Sequence, residues 1–221
     1  MPPPRPTQIP PRQARSRETL RRMLDAVEIV LDKHGLEGAT LPRIAAQAGL
    51  SPAAVYRRFR DKDALIRAVF VRASQMRTEN LAKPIDAGQL RQIGLRNVAR
   101  NWIAAMIHAF RTRTGFLRAT ALYSHQHSRA PFVRRQRKLE IQGFHRLVET
   151  FLLWRDEIRH PDPAKAVSYA VLMTVFALRE LILFDQASTF QELMPLSDDQ
   201  LQSELTMFFL RYLGVDSEAS A

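Results

Sequence analysis

Cysteine is absent from the 221 residues, which excludes a disulfide framework, a thiolate nucleophile and any zinc or iron-sulfur site built on cysteine. Glycine is scarce, with eight in all, and alternating Val/Ile/Thr runs are missing. Neither a sheet-rich fold nor a Gly-rich phosphate loop has the material it needs. No paired-carboxylate motif and no nucleophile elbow is present, so no catalytic residue is assigned and an enzyme is not expected. His125 and His127 stand about 200 degrees apart around a regular helix and cannot grip one ion. No metal and no cofactor are expected. Met1 to Pro11 carries Pro and Arg where an export signal needs an apolar core. The longest apolar stretch, Ala166 to Phe184, contains Arg179 and Glu180 and reads as a buried helix rather than a membrane span. A reducing cytoplasm is the expected setting.

Acidic residues are also in short supply. The chain holds 22 Asp and Glu against 33 Lys and Arg, a net charge of +11. Charge of that sign draws phosphate polymers, anionic membrane surfaces or acidic ligands, and does not choose among them. With 46% hydrophobic residues the chain can build an ordinary core, and its Leu, Ala, Arg and Glu content predicts an all-α fold.

Residues 1–18 hold six prolines and four arginines before any apolar periodicity, which predicts a mobile basic arm, either simply solvated or lying along DNA phosphates. A small domain over 19–72 follows. Leu20, Leu24, Val27 and Leu31 recur at helical spacing up to a stop at Gly35. Thr40 caps a second helix that begins Leu41-Pro42 and ends at Gly49. After Leu50 alone, Ser51 caps a third that begins at Pro52 and turns Val55 and Phe59 inward. Asp61 caps a fourth. Two short helices joined by a glycine-containing turn are the helix-turn-helix pattern.

Residues 73–215 read as a larger helical bundle, with helices over about 86–110, 116–126, 130–158, 163–185 and 197–213 and a flexible tail over 216–221. Asp162-Pro163 and the capping box from Ser197 to Gln200 open the last two. In the final helix Leu201, Leu205, Phe208 and Tyr212 form one apolar seam, and Val167, Val171, Thr174, Leu178 and Leu181 form another in the helix before. These seams predict a two-fold dimer closed as a four-helix bundle, or alternatively the protomer's own core. Trp102, Met106, Tyr123, Phe144 and Phe176 are the candidate lining of a small-molecule pocket within the bundle. From Arg111 to Lys138 there are eight basic residues and no acid, a solvated face or a site for an anionic ligand group.

A helix that enters the major groove must be slim near the bases, and Pro52, Ala53 and Ala54 are small. Tyr56 and Arg57 come one turn later, within reach of flanking phosphates. Thr40 and Lys62 open helices whose free N–H groups favour phosphate. Counted over residues 1–72, 14 basic residues face 7 acidic ones, so much of the positive charge belongs to this end.

Leu24-Asp25-Ala26, Gly35, Thr40, Ile44-Ala45, Ala48-Gly49-Leu50-Ser51, Val55-Tyr56-Arg57-Arg58-Phe59 and Lys62 with Ala64-Leu65 together resemble the DNA-binding domain of the tetracycline-repressor (TetR/AcrR-like) family. The resemblance covers about fifty residues and implies a ligand-responsive regulator, a repressor that leaves a palindromic operator when a lipophilic effector binds. It also implies that Thr40, Tyr56 and Lys62 touch phosphates while Ser51 to Arg57 meet base edges. The rival reading, a basic helical protein that binds lipid or membrane surfaces, leaves the spacing from Thr40 to Leu65 without a cause.

Overall fold

The computed structural model describes residues 11–184, 192–193 and 195–215. Those residues form helices and no strand, and the chain divides into two compact units, Met1–Arg72 and Ala73–Ala221.

The first unit is built on α1 (Pro11–Gly38), which presents Met23, Val27, Val30 and Leu31 as a buried stripe at helical spacing. Gly35 interrupts it at φ +63°, so the regular helix stops where the glycine predicted. Helix α2 (Leu41–Ala48) and the single-turn α3 (Pro52–Tyr56) follow, and Lys62 opens α4 (Lys62–Ala82). Ile44, Ala45, Val55 and Leu65 are fully buried and close this small core. From α4, Arg72 reaches back to Asp25 at 2.6 Å and also pairs with Glu28.

One expectation about this end changes. The helix starts at Pro11, so residues 11–18, read as arm because of their prolines, are helical up to the start of the apolar stripe. Proline is tolerated in a helix's first turn, where its missing N–H has no partner to lose. Residues 1–10 and the 216–221 tail lie outside the described residues.

The second unit contains α5 (Ala87–Ile93), α6 (Leu95–Thr112), α7 (Thr114–Gln126), α8 (Pro131–Phe151), α9 (Pro163–Leu178) and α10 (Asp198–Tyr212). The single helix predicted over 86–110 is two, because Gly94 takes φ +82°, a conformation costly for any residue with a Cβ. The predicted 130–158 helix tightens into a 3-10 turn at Leu152–Glu157, and α9 passes into a wider π turn at Arg179–Phe184. Arg118 donates to the Leu183 carbonyl inside that turn. The capping box at Ser197 and Gln200 forms as read.

Phe151 is fully buried at the centre of this unit. Its ring lies 4.9 Å from Phe209 and 5.7 Å, edge to face, from Trp102. Aromatic contacts of this kind add to the burial of apolar area. Truncating the ring leaves a void its neighbours cannot refill, so Phe151→Ala should destabilise the second unit by about 3–5 kcal/mol. Both tryptophans, Trp102 and Trp154, belong to this unit, and their fluorescence during urea unfolding reads the loss. An unchanged midpoint would contradict the assignment of Phe151 as the packing centre.

Candidate nucleic-acid interface

The turn between α2 and α3 presents the candidate reading head. Gly49 adopts the left-handed conformation, φ +62° and ψ +43°, and its N–H closes α2. The Arg22 guanidinium donates to the carbonyls of Ala48 at 2.5 Å and Gly49 at 3.2 Å, pinning the turn to α1. Arg43 likewise donates to the Gly38 carbonyl at 2.7 Å. Ser51 Oγ accepts from the Ala54 N–H at 3.2 Å and Thr40 Oγ1 from the Arg43 N–H at 3.4 Å. Both hydroxyls therefore act as N-caps, and both residues remain exposed.

On α3 only Val55 is buried; Pro52, Ala53, Tyr56 and Arg57 are exposed and Ala54 is half-buried. Tyr56 is 53% exposed, so its ring takes no part in the small core. The short helix thus shows solvent a slim N-terminal end followed by a phenol and a guanidinium. Lys62 differs from expectation. Its ammonium is half-buried and donates to the Leu36 carbonyl at 2.9 Å, because the interruption at Gly35 leaves carbonyls at the end of α1 without helical partners. Two of its three donors stay available for an anion.

The charges around this head are not equally available. Arg21 is held between Glu18, through two hydrogen bonds at 2.6 and 2.9 Å, and Asp25 at 3.1 Å. The hydrogen bond from Arg21 holds the Glu18 carboxyl below its ordinary range, and the same bond raises Arg21. Arg72 is paired with Asp25 and Glu28. The side chains of Arg15 and Arg57, by contrast, form no ion pair among the described residues.

The candidate pocket residues do not converge. Trp102, Met106 and Phe144 pack on one hydrophobic cluster. Tyr123 is buried elsewhere, stacked on His127 at 4.1 Å, and Phe176 is 51% exposed on the outer side of α9. The candidate dimer seam also divides. Val171, Leu178, Leu201 and Leu205 are buried within the protomer and complete its own core. Phe208 remains exposed and Tyr212 half-buried. The apolar stripe left uncovered on α9 is Tyr169, Leu172 and Phe176, with Tyr169 5.3 Å from the Tyr212 ring.

The basic stretch from Arg111 to Lys138 is not one patch either. Arg111 pairs with Asp198 at 2.9 Å, Arg113 lies 4.4 Å above the Phe116 ring, and Arg118 holds the Leu183 carbonyl. Arg134, Arg135, Arg137 and Lys138 are exposed along α8. Among the described residues no three His, Asp or Glu side chains could share a metal ion.

Residues 23–69 match the family model of the bacterial regulatory proteins of the tetR family. No curated protein sequence matches the chain significantly. Solved structures resemble the chain over most of its length. One is a protein from Mesorhizobium loti assigned to the TetR family of transcriptional regulators, 19% identical, covering 91% of this chain and 98% of its own with a TM-score of 0.64. A transcriptional regulator from Rhodococcus sp. Rha1 is 16% identical over 88% of this chain and 96% of its own, with a TM-score of 0.62. GusR of Salmonella enterica is 17% identical over 89% and 95%, with a TM-score of 0.58. At these identities the structures establish a shared fold: a helix-turn-helix domain followed by a helical domain. Residues 23–69 thus form a domain similar to the one that defines the tetR family of bacterial regulatory proteins.

Proposed function

We propose that the protein is a homodimeric repressor that binds a palindromic operator and leaves it when a lipophilic small molecule binds. The observation that carries this reading is the exposed α3, slim at Pro52 to Ala54 and carrying Tyr56 and Arg57 one turn on. Ala53 and Ala54 approach base edges, Tyr56 and Arg57 bind phosphates, and Ser51 and Thr40 combine capping with contact to the backbone. Lys62 serves both the end of α1 and a phosphate.

Duplex affinity should fall steeply with salt, because each neutralised phosphate adds about 0.9 to the log-log slope. Tyr56→Phe and Lys62→Ala weaken binding to all sequences alike, whereas substitutions at Ala53 change the ranking within a panel of duplexes. Fluorescence anisotropy at several salt concentrations measures both effects. A Lys62→Ala protein with unchanged affinity and slope would remove Lys62 from the interface.

The proposed dimer forms through Tyr169, Leu172 and Phe176 of α9 with Phe208 and Tyr212 of α10. Pro163–Phe184 has a mean hydropathy of 1.8, long and apolar enough to cross a membrane by length and composition, yet less than half of it is buried within one protomer. A second copy laid on this stripe covers it as a four-helix bundle. The double variant Phe176→Glu/Phe208→Glu should sediment as a folded monomer, and a persistent dimer would place the interface elsewhere.

Trp102, Met106 and Phe144 are the proposed effector contacts. Helix α4 supplies residues to both units, and its C-terminal half is tied to α8. Ser74 donates to Gln136 at 2.9 Å, Arg77 meets Glu140 at 3.3 Å, and Arg146 donates to the carbonyls of Leu81 and Lys83. A ligand that displaces α8 therefore pulls on α4. A compound that releases the protein from DNA should alter tryptophan emission in the wild type and not in Trp102→Phe, where Trp154 remains. The same change in both proteins would move the site away from Trp102.

A further inference from the structure

Beside α3 there is an open cleft of about 410 Å³, formed with the first turns of α1. Met23, itself buried, forms its floor, and Ala54 lines its α3 side. The polar lining is Arg15, Ser16 and Thr19 from α1 with Arg57 and Arg58 from the end of α3. No carboxylate lines it. The nearest acid in sequence, Glu18, is occupied by Arg21.

Three guanidiniums around one recess with no counter-charge repel one another, and an anion relieves that repulsion. The hydroxyls are arranged for such a guest. Arg58 Nη1 donates at 3.1 Å to both the carbonyl and Oγ of Ser16, so the Ser16 hydroxyl accepts from Arg58 and keeps its own hydrogen to donate. Thr19 differs, since its Oγ1 donates to the Arg15 carbonyl at 2.8 Å. That bond braces the backbone that carries Arg15.

We infer that this cleft is a phosphodiester site, in which Arg15, Ser16 and Arg57 hold a DNA phosphate flanking the base pairs met by Ala53 and Ala54. The inference rests on the DNA-binding reading above and adds a contact from α1, upstream of residues 23–69. Arg58 is a positioning residue for Ser16. Shared between α1 and α3, the phosphate fixes the angle at which α3 enters the groove.

The test uses the full chain and duplexes carrying one neutral methylphosphonate at successive flanking positions. Arg15→Gln and Ser16→Ala, both at exposed positions, should melt like the wild type. Arg15→Gln should bind an unmodified duplex about tenfold more weakly with its salt slope reduced by about 0.9, and Arg15→Lys should recover the slope. One methylphosphonate position should weaken the wild type and weaken Arg15→Gln, which keeps only Ser16 and Arg57 at that phosphate, markedly less. Wild-type DNA binding with an unchanged Arg15→Gln slope, or no position at which the two losses coincide, overturns the cleft while the DNA-binding reading stands. If inorganic phosphate protects the wild type against heat in an Arg15-dependent way but Arg15→Gln binds DNA normally, the cleft takes a free anion and the inference is also overturned. A wild type that binds no duplex overturns both readings together.

Discussion

The reading head depends on one short piece of backbone, the left-handed Gly49 whose carbonyl, with that of Ala48, is held by Arg22. A side chain at Gly49 would meet an unfavourable φ, and its Cβ would lie 3.1 Å from the Arg22 guanidinium. With the turn fixed, α3 starts at Ser51 in a set direction and needs only Val55 to anchor it. A five-residue helix is too short to be stable by itself. Its shape is therefore borrowed from α1 and α2, which leaves its other side chains free of structural duty. That freedom makes the exposed surface of α3 available for recognition.

A second constraint acts on α9, which is apolar nearly all round. One side, with Val167, Val171, Thr174 and Leu178, is buried in the protomer, and the other, with Tyr169, Leu172 and Phe176, is not. Exposed apolar area of this size is costly to leave in water. The aromatic contacts of Tyr169 with Tyr212, and of Tyr212 with Phe208 at 6.2 Å, carry the surface across to α10 as one continuous patch.

Legibility in the sequence followed how local each determinant is. The caps at Thr40, Ser51, Asp162 and Ser197 and the stops at Gly35 and Gly49 were readable, since each acts within four residues of itself. The break at Gly94 was not, because a lone glycine between Ile93 and Leu95 resembles a tolerated helical one. Periodicity cannot tell the buried side of α9 from the exposed one, since on a helix apolar all round every register gives a seam; it marks neither Val171 and Leu178 as protomer core nor Phe176 as exposed. The bonds from Arg22 to the α2 end and from Lys62 to Leu36 join positions 26 residues apart. Spacing carries no mark of such contacts. The prolines before Arg12 concealed the early start of α1, and with it the cleft at Arg15 and Ser16.

The central claim is that exposed α3 helices, presented in pairs by a two-fold dimer, read duplex DNA. Repeated selection of bound molecules from a random duplex pool at physiological salt tests it most directly. The account predicts enrichment of an inverted repeat whose half-sites are centred about one helical turn apart, roughly 34 Å. A pool that remains random, or preferential capture of the protein by anionic vesicles at equal ionic strength, would contradict it.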